Sequence, residues 1–207
     1  MKTQYSLLLL LLLLGFTQCK SPAAKPDRIS DEALMDTLQR RTFNYFWEGA
    51  EPNSGLACER IHIDGIYPED DQNVVTTGGS GFGIMAVLAG IDRGYVTREE
   101  GLARMERIVS FLETADRFHG AYPHWWFGDT GQVKPFGQKD NGGDLVETAF
   151  LMQGLLAVHQ YYINGSPAEQ ALAGASTHCG VKLTGISIAG TIRMYSIGTG
   201  VPNTAGK

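Results

Sequence analysis

Two stretches of this chain, residues 81–91 and 149–158, are apolar at almost every position, the second interrupted only by Gln153 and Gly154. A helix on the surface of a globular protein turns one polar face to water, so helices that are apolar all round need neighbours on every side. The segments near them have the complementary pattern. Thr97-Arg98-Glu99-Glu100 forms a capping box, and Leu102, Met105, Ile108, Val109 and Leu112 follow on one stripe with Arg and Glu opposite. Upstream, Ser30 is an N-cap candidate before Asp31 and Glu32, and Leu34, Leu38, Thr42 and Tyr45, with Met35, Phe43 and Phe46, recur at helical spacing. Wholly apolar helices alternating with one-sided ones predict an all-α fold, a two-layered ring of helical hairpins.

Between these helices the periodicity fails. Residues 49–77 hold Pro52, Gly55, Gly65, Pro68 and the acidic run Glu69-Asp70-Asp71, a long loop of the kind that often carries function. Residues 119–143 form a second loop, rich in glycine, with a hairpin expected to turn at Asp129-Thr130-Gly131. Gly78-Gly79-Ser80-Gly81-Phe82-Gly83 is no phosphate loop, because no Lys-Ser/Thr closes it and no βαβ pattern precedes it. Glycines opening a buried helix more simply permit close packing.

With 207 residues, 43% apolar and 19% charged, the chain is expected to be one soluble domain. Its net charge of −5 makes nucleic acid an unsuitable partner. The three cysteines, at 19, 58 and 179, have neither metal-ligand spacing nor a disulfide framework. Lys2, eight leucines from Leu7 to Leu14, and Cys19 have the layout of an export signal, too short to span a bilayer. The arrangement resembles a bacterial lipoprotein signal, which implies removal of residues 1–18 and lipidation of Cys19. Residues 19–29, with Pro22 and Pro26, then read as a tether, and residues 30–170 as the folded body. The expected location is the bacterial cell envelope, periplasm or outer membrane, with the membrane as a partner through the lipid.

Residues 171–207 contain no Asp, Glu, Phe or Trp, although the body is rich in all four. Because each codon of a shifted phase shares two bases with a residue of this one, the alternative peptide is nearly determined. Residues 194–207 can be back-translated so that the shifted phase reads VLYWHWSPEYGWK, aromatic and polar like the body. The tail is therefore read as out of frame, with the slip near residues 173–175.

The strings Thr42-Phe43-Asn44-Tyr45-Phe46-Trp47, Ser54-Gly55-Leu56-Ala57, Ala115-Asp116-Arg117-Phe118-His119-Gly120 and Gly142-Gly143-Asp144-Leu145-Val146-Glu147-Thr148-Ala149, with residues 75–83, resemble the bacterial glucoamylase-like family that includes endo-β-1,2-glucanases. The hidden LYWHWSPEYGW is similar to a stretch the family carries just downstream. The resemblance implies an (α/α)6 barrel of twelve helices that hydrolyses glucans. This chain has room for about four of them, so a partial barrel with uncovered apolar faces is expected.

Glycoside hydrolysis generally uses two carboxyl groups. Asp140, Asp144 and Glu147 are the candidates, and the resemblance implies that they line the cleft, with a further acid beyond the frame slip. If both were helical, Asp144 and Glu147 would lie roughly 5–6 Å apart. That is closer than the roughly 6.5–9.5 Å of an inverting pair, and suits two groups holding one water. Asp-x-x-Glu before an apolar run is equally a helix N-cap with its N3 partner. Among Tyr122, His124, Trp125 and Trp126, Pro123 excludes a helix, and adjacent tryptophans on a strand cannot both point inward. One of Trp125 and Trp126 is expected against substrate, together with His124 and Arg60. His62 could join Arg60, while His119 and His159 read as structural. The function expected is hydrolysis of a glucan, β-1,2-linked, by general acid/base chemistry with no cofactor and no metal. The chain itself is expected to be a truncated, inactive form. A lipid-anchored glycan-binding protein is the alternative.

Overall fold

A computed structural model of the chain describes residues 28–67, 69–139 and 141–181. The expected export signal, Cys19, Asp140 and the expected out-of-frame stretch beyond residue 181 lie outside the described residues. The described elements are α1 (Asp31–Trp47), β1 (Val74–Thr76), α2 (Thr77–Asp92), α3 (Arg98–Thr114), β2 (Trp125–Phe127), β3 (Val133–Lys134), α4 (Leu145–Tyr162) and α5 (Pro167–Val181). The chain divides into two compact units between Asp36 and Thr37. In the first unit the Ser30 hydroxyl accepts the N–H of Ala33 at 3.2 Å, as its N-cap position predicts. The second unit holds the remaining elements.

Within it, α2 packs along α4, α4 on α5, and α3 on both α5 and α2. Glycine makes the first of these contacts possible. A Cβ on Gly81 would stand 2.2 Å from the Phe150 carbonyl oxygen, and one on Gly154 would stand 2.6 Å from the Gly81 carbonyl oxygen. The two backbones therefore touch where a side chain would otherwise hold them apart. Ile84, Val87, Leu151, Leu155 and Val158 fill the rest of the seam, all nearly inaccessible to solvent. Phe82 on α2 and Val146, Phe150 and Leu156 on α4 remain exposed, so neither apolar helix is enclosed on every side by the described residues.

The one-sided helix is α3. Thr97 accepts the Glu100 N–H and Glu100 returns a carboxylate to the Thr97 N–H, closing the capping box. Its stripe buries Met105, Ile108, Val109 and Leu112 and leaves Leu102 half-buried. In α1 the expected stripe is corrected. Phe43 alone is buried, its ring 5.7 Å from Trp47 and 5.4 Å from Tyr95, whereas Leu38 and Tyr45 are exposed. Helical spacing shows that one face is apolar but not how much of that face a neighbour covers.

The described fold is mostly helical, as expected, with a small antiparallel sheet of β1, β2 and β3 in that order beside the helices. The hairpin turns where expected, with Gly131 at φ +74° donating to the Phe127 carbonyl. β1 joins it by pairing Val75 with Trp126, across a stretch of chain in which no periodicity marked a strand. Toward the C-terminal end of the described residues, α5 runs from Pro167 to Val181. Leu172, Ala173, Ser176 and Cys179 are buried in it, and the Arg117 guanidinium donates to the Cys179 carbonyl at 3.0 Å.

Candidate functional site

The segment from Tyr122 to His124 holds the N-termini of α2 and α4 together. The Tyr122 carbonyl accepts the Asp144 N–H at 2.7 Å, and its N–H donates to the Thr148 hydroxyl at 2.9 Å. The Pro123 carbonyl accepts the Thr77 hydroxyl at 2.5 Å, and the His124 carbonyl accepts the Thr77 N–H at 3.1 Å. The two candidate carboxylates thus meet at the positive ends of two helices.

Asp144 is the N-cap of α4, with an extended backbone at φ −106° and ψ 114°. Its Oδ1 accepts the N–H groups of Val146 and Glu147 at 2.9 and 3.0 Å, and its Oδ2 lies 3.0 Å from Nδ1 of His124. The helical spacing assumed for the pair therefore does not apply, because Asp144 precedes the helix. The capping motif is half-formed. Instead of returning to the Asp144 N–H, the Glu147 side chain crosses to α2, where Oε2 accepts the Gly78 N–H at 2.8 Å and the Thr76 hydroxyl at 3.4 Å. A Cβ on Gly78 would fall 2.7 Å from that oxygen, so glycine at 78 is what admits the carboxylate. Among the described residues, Oε1 of Glu147 has no hydrogen-bond partner. Two fixed acceptors at these helix ends, one of them with an oxygen that no described residue occupies, can hold and orient a water or a sugar hydroxyl.

Beside them lies an aromatic cluster. The His124 ring is 5.2 Å from that of Trp125 and 4.5 Å from that of Phe136, and Trp125 lies 4.8 Å from Phe136. Trp125 is half-buried and Phe136 exposed. Of the adjacent pair, Trp126 is the one turned inward. As the next residue of β2 it points the opposite way and is fully buried against Tyr122 and Phe111, its indole N–H donating to the Asp116 carbonyl at 3.1 Å. It offers no face to a ligand. Tyr122 is equally buried, and burial pushes its phenol well above the ordinary range.

Arg60 is engaged by the Glu59 carboxylate and by Asp71 at 3.5 Å, and these acids raise its pKa, the Glu59 hydrogen bond most of all. Among the described residues, no hydrogen bond or ion pair links it to Asp144, Glu147 or His124. His62 packs edge-on to Tyr67 at 4.8 Å, and His159 bonds the Ala173 carbonyl at 3.0 Å. No group of three or more His, Cys, Asp or Glu among the described residues is placed to hold a metal ion. Sequence reasoning missed Gly78, Thr76 and Phe136. Gly78 was visible only as one of a run of glycines, and Phe136 follows Pro135 in a stretch with no period.

No family model matches the chain. Over 145 residues it is 53% identical to the exo-β-1,2-glucooligosaccharide sophorohydrolase (non-reducing end) of Parabacteroides distasonis, a match that covers 70% of this chain and 19% of that protein. Among solved structures, a Bacteroides caccae protein with the provisional name glucoamylase superposes with a TM-score of 0.73 at 80% identity, over 74% of this chain and 37% of that one. The endo-β-1,2-glucanase of Chitinophaga pinensis, solved with sophorotriose and glucose, gives a TM-score of 0.74 at 60% identity, over 75% and 37%. The chain therefore spans between about a fifth and two fifths of the length of these relatives.

Proposed function

Because this chain belongs, over about three quarters of its length, to the bacterial glucoamylase-like family that includes endo-β-1,2-glucanases, we propose that it carries the carboxylate-bearing part of a β-1,2-glucan hydrolase site. The observation that supports this most is the pair of acceptors at the helix ends, with Asp144 committed to three donors and, among the described residues, Glu147 Oε1 without a hydrogen-bond partner.

In such a reaction one carboxyl protonates the leaving oxygen while another withdraws a proton from the water that attacks the anomeric carbon. Asp144 and Glu147 both act as acceptors, which suits the second role. Glu147 Oε1 takes the proton of the attacking water, and Asp144 holds that water or a neighbouring hydroxyl in line. The proton donor then comes from outside the described residues, which include neither Asp140 nor anything encoded in the alternative phase. On this reading the chain as it stands binds glucan without cleaving it and is held at the cell envelope by a lipid on Cys19.

The test compares two polypeptides. The unmodified chain should bind sophorose-series oligosaccharides and release no reducing ends from β-1,2-glucan. The product read in the alternative phase after residues 173–175 should release them, and Glu147→Gln or Asp144→Asn should each slow it about 100-fold or more. Unchanged rates in both variants would remove these residues from the chemistry. Labelled palmitate should enter the exported chain and not its Cys19→Ser variant. A glycan-capture role gains support if the frame-restored product binds glucan and never cleaves it.

A further inference from the structure

Phe136 is an apolar ring left 51% exposed although two other rings hold it in place. It tilts by 51° against His124 and by 39° against Trp125, and those two stand perpendicular to each other. His124 is tied in turn to the Asp144 carboxylate. The cluster is thus rigid, partly open to solvent and one side chain away from the candidate acids. A glucopyranose ring has matching chemistry: its axial C–H bonds make an apolar face, and its equatorial hydroxyls point outward to polar groups. With Nδ1 of His124 committed to Asp144, Nε2 remains for such a hydroxyl.

We propose that Phe136 is a sugar-stacking residue, its ring with that of Trp125 forming the floor on which one glucose unit of a glucan lies beside Asp144 and Glu147. The inference rests on the reading of the site as glucan-binding, and its test separates the two.

The full chain is titrated with sophorotriose and, in parallel, with β-1,3- and β-1,4-linked glucotriose, following tryptophan fluorescence. The variants are Phe136→Leu, which keeps apolar bulk without the π face, Phe136→Ala and Phe136→Tyr. Sophorotriose binding should weaken about tenfold in the Leu and Ala variants and stay within about twofold in the Tyr variant, with melting temperatures unchanged. Wild-type affinity in Phe136→Leu would reduce the ring to packing and overturn the proposal while leaving the glucan reading intact. If only another linkage binds, and Phe136→Leu weakens it, the platform stands and the β-1,2 assignment falls. If the unmodified chain binds no glycan at all, both fall.

Discussion

Oδ2 of Asp144 lies 3.0 Å from Nδ1 of His124, while Oδ1 of the same carboxylate receives the N–H groups of Val146 and Glu147. One side chain therefore begins α4 and fixes the ring on which Phe136 rests. The two tasks use different oxygens and are separable by mutation.

Asp144→Asn retains an oxygen for the helix N–H groups, because asparagine caps about as well as aspartate, but it loses the charge facing His124. Its stability should stay within about 0.5 kcal/mol of the unmodified chain, whereas Asp144→Ala should cost about 1–2 kcal/mol. Urea unfolding midpoints measure the difference, and equal losses in both variants would contradict the division of labour.

At Gly81 the obstruction to a side chain is backbone. The added methyl of Gly81→Ala would meet the Phe150 carbonyl oxygen at 2.2 Å and the Leu151 Cα at 2.8 Å, and neither can move without parting α2 from α4. A loss of about 3 kcal/mol or more is expected. Gly78→Ala makes a useful contrast, because there the methyl meets the movable end of Glu147. It should cost about 1 kcal/mol or less and displace the carboxylate, weakening glycan binding while thermal melting barely changes.

The two adjacent tryptophans should respond very differently. Trp126→Ala empties a fully buried site and should cost about 3–5 kcal/mol. Trp125→Ala should cost about 1 kcal/mol or less, its effect falling on ligand binding. Reversed magnitudes in chemical denaturation would show that the register of β2 is wrong by one residue.

Cys58 sets an alkaline limit to stability. Burial, then the charge of Glu51, pushes its thiol up to about 11. An unfolded thiol titrates near about 8.5, so the folded state holds the proton more tightly. The resulting stabilisation is complete below that pH and disappears as pH rises toward 11. Between pH 8 and 10.5 the unmodified chain should lose more stability than Cys58→Ala, and native Cys58 should resist thiol reagents at pH 8. Rapid labelling under native conditions would refute the assignment.

Features governed by neighbours in the chain were legible beforehand. The Thr97–Glu100 capping box, the α3 stripe, the turn at Gly131 and the cap at Asp144 each depend on contacts a few residues long. The glycines of α2 were rightly expected to serve packing, although their partners, Gly154 and the Phe150 carbonyl, could not be named. The α1 stripe misled because apolar spacing is not burial, and β1 escaped notice because a three-residue strand has too little length to show alternation.

Sequence alone determined the helical class, the family resemblance and the list of candidate acids, because each rests on local pattern or on long matching strings. Tertiary structure decided what those residues do. It placed Gly78, 69 residues away along the chain, against Glu147 and so released that carboxylate from its cap. Through the pairing of β1 with β2 it turned Trp126 inward and Trp125 outward, and it set Phe136 against His124 and Trp125. Such outcomes depend on which backbone groups meet across the fold, and a linear pattern with a period of two or 3.6 residues does not encode them.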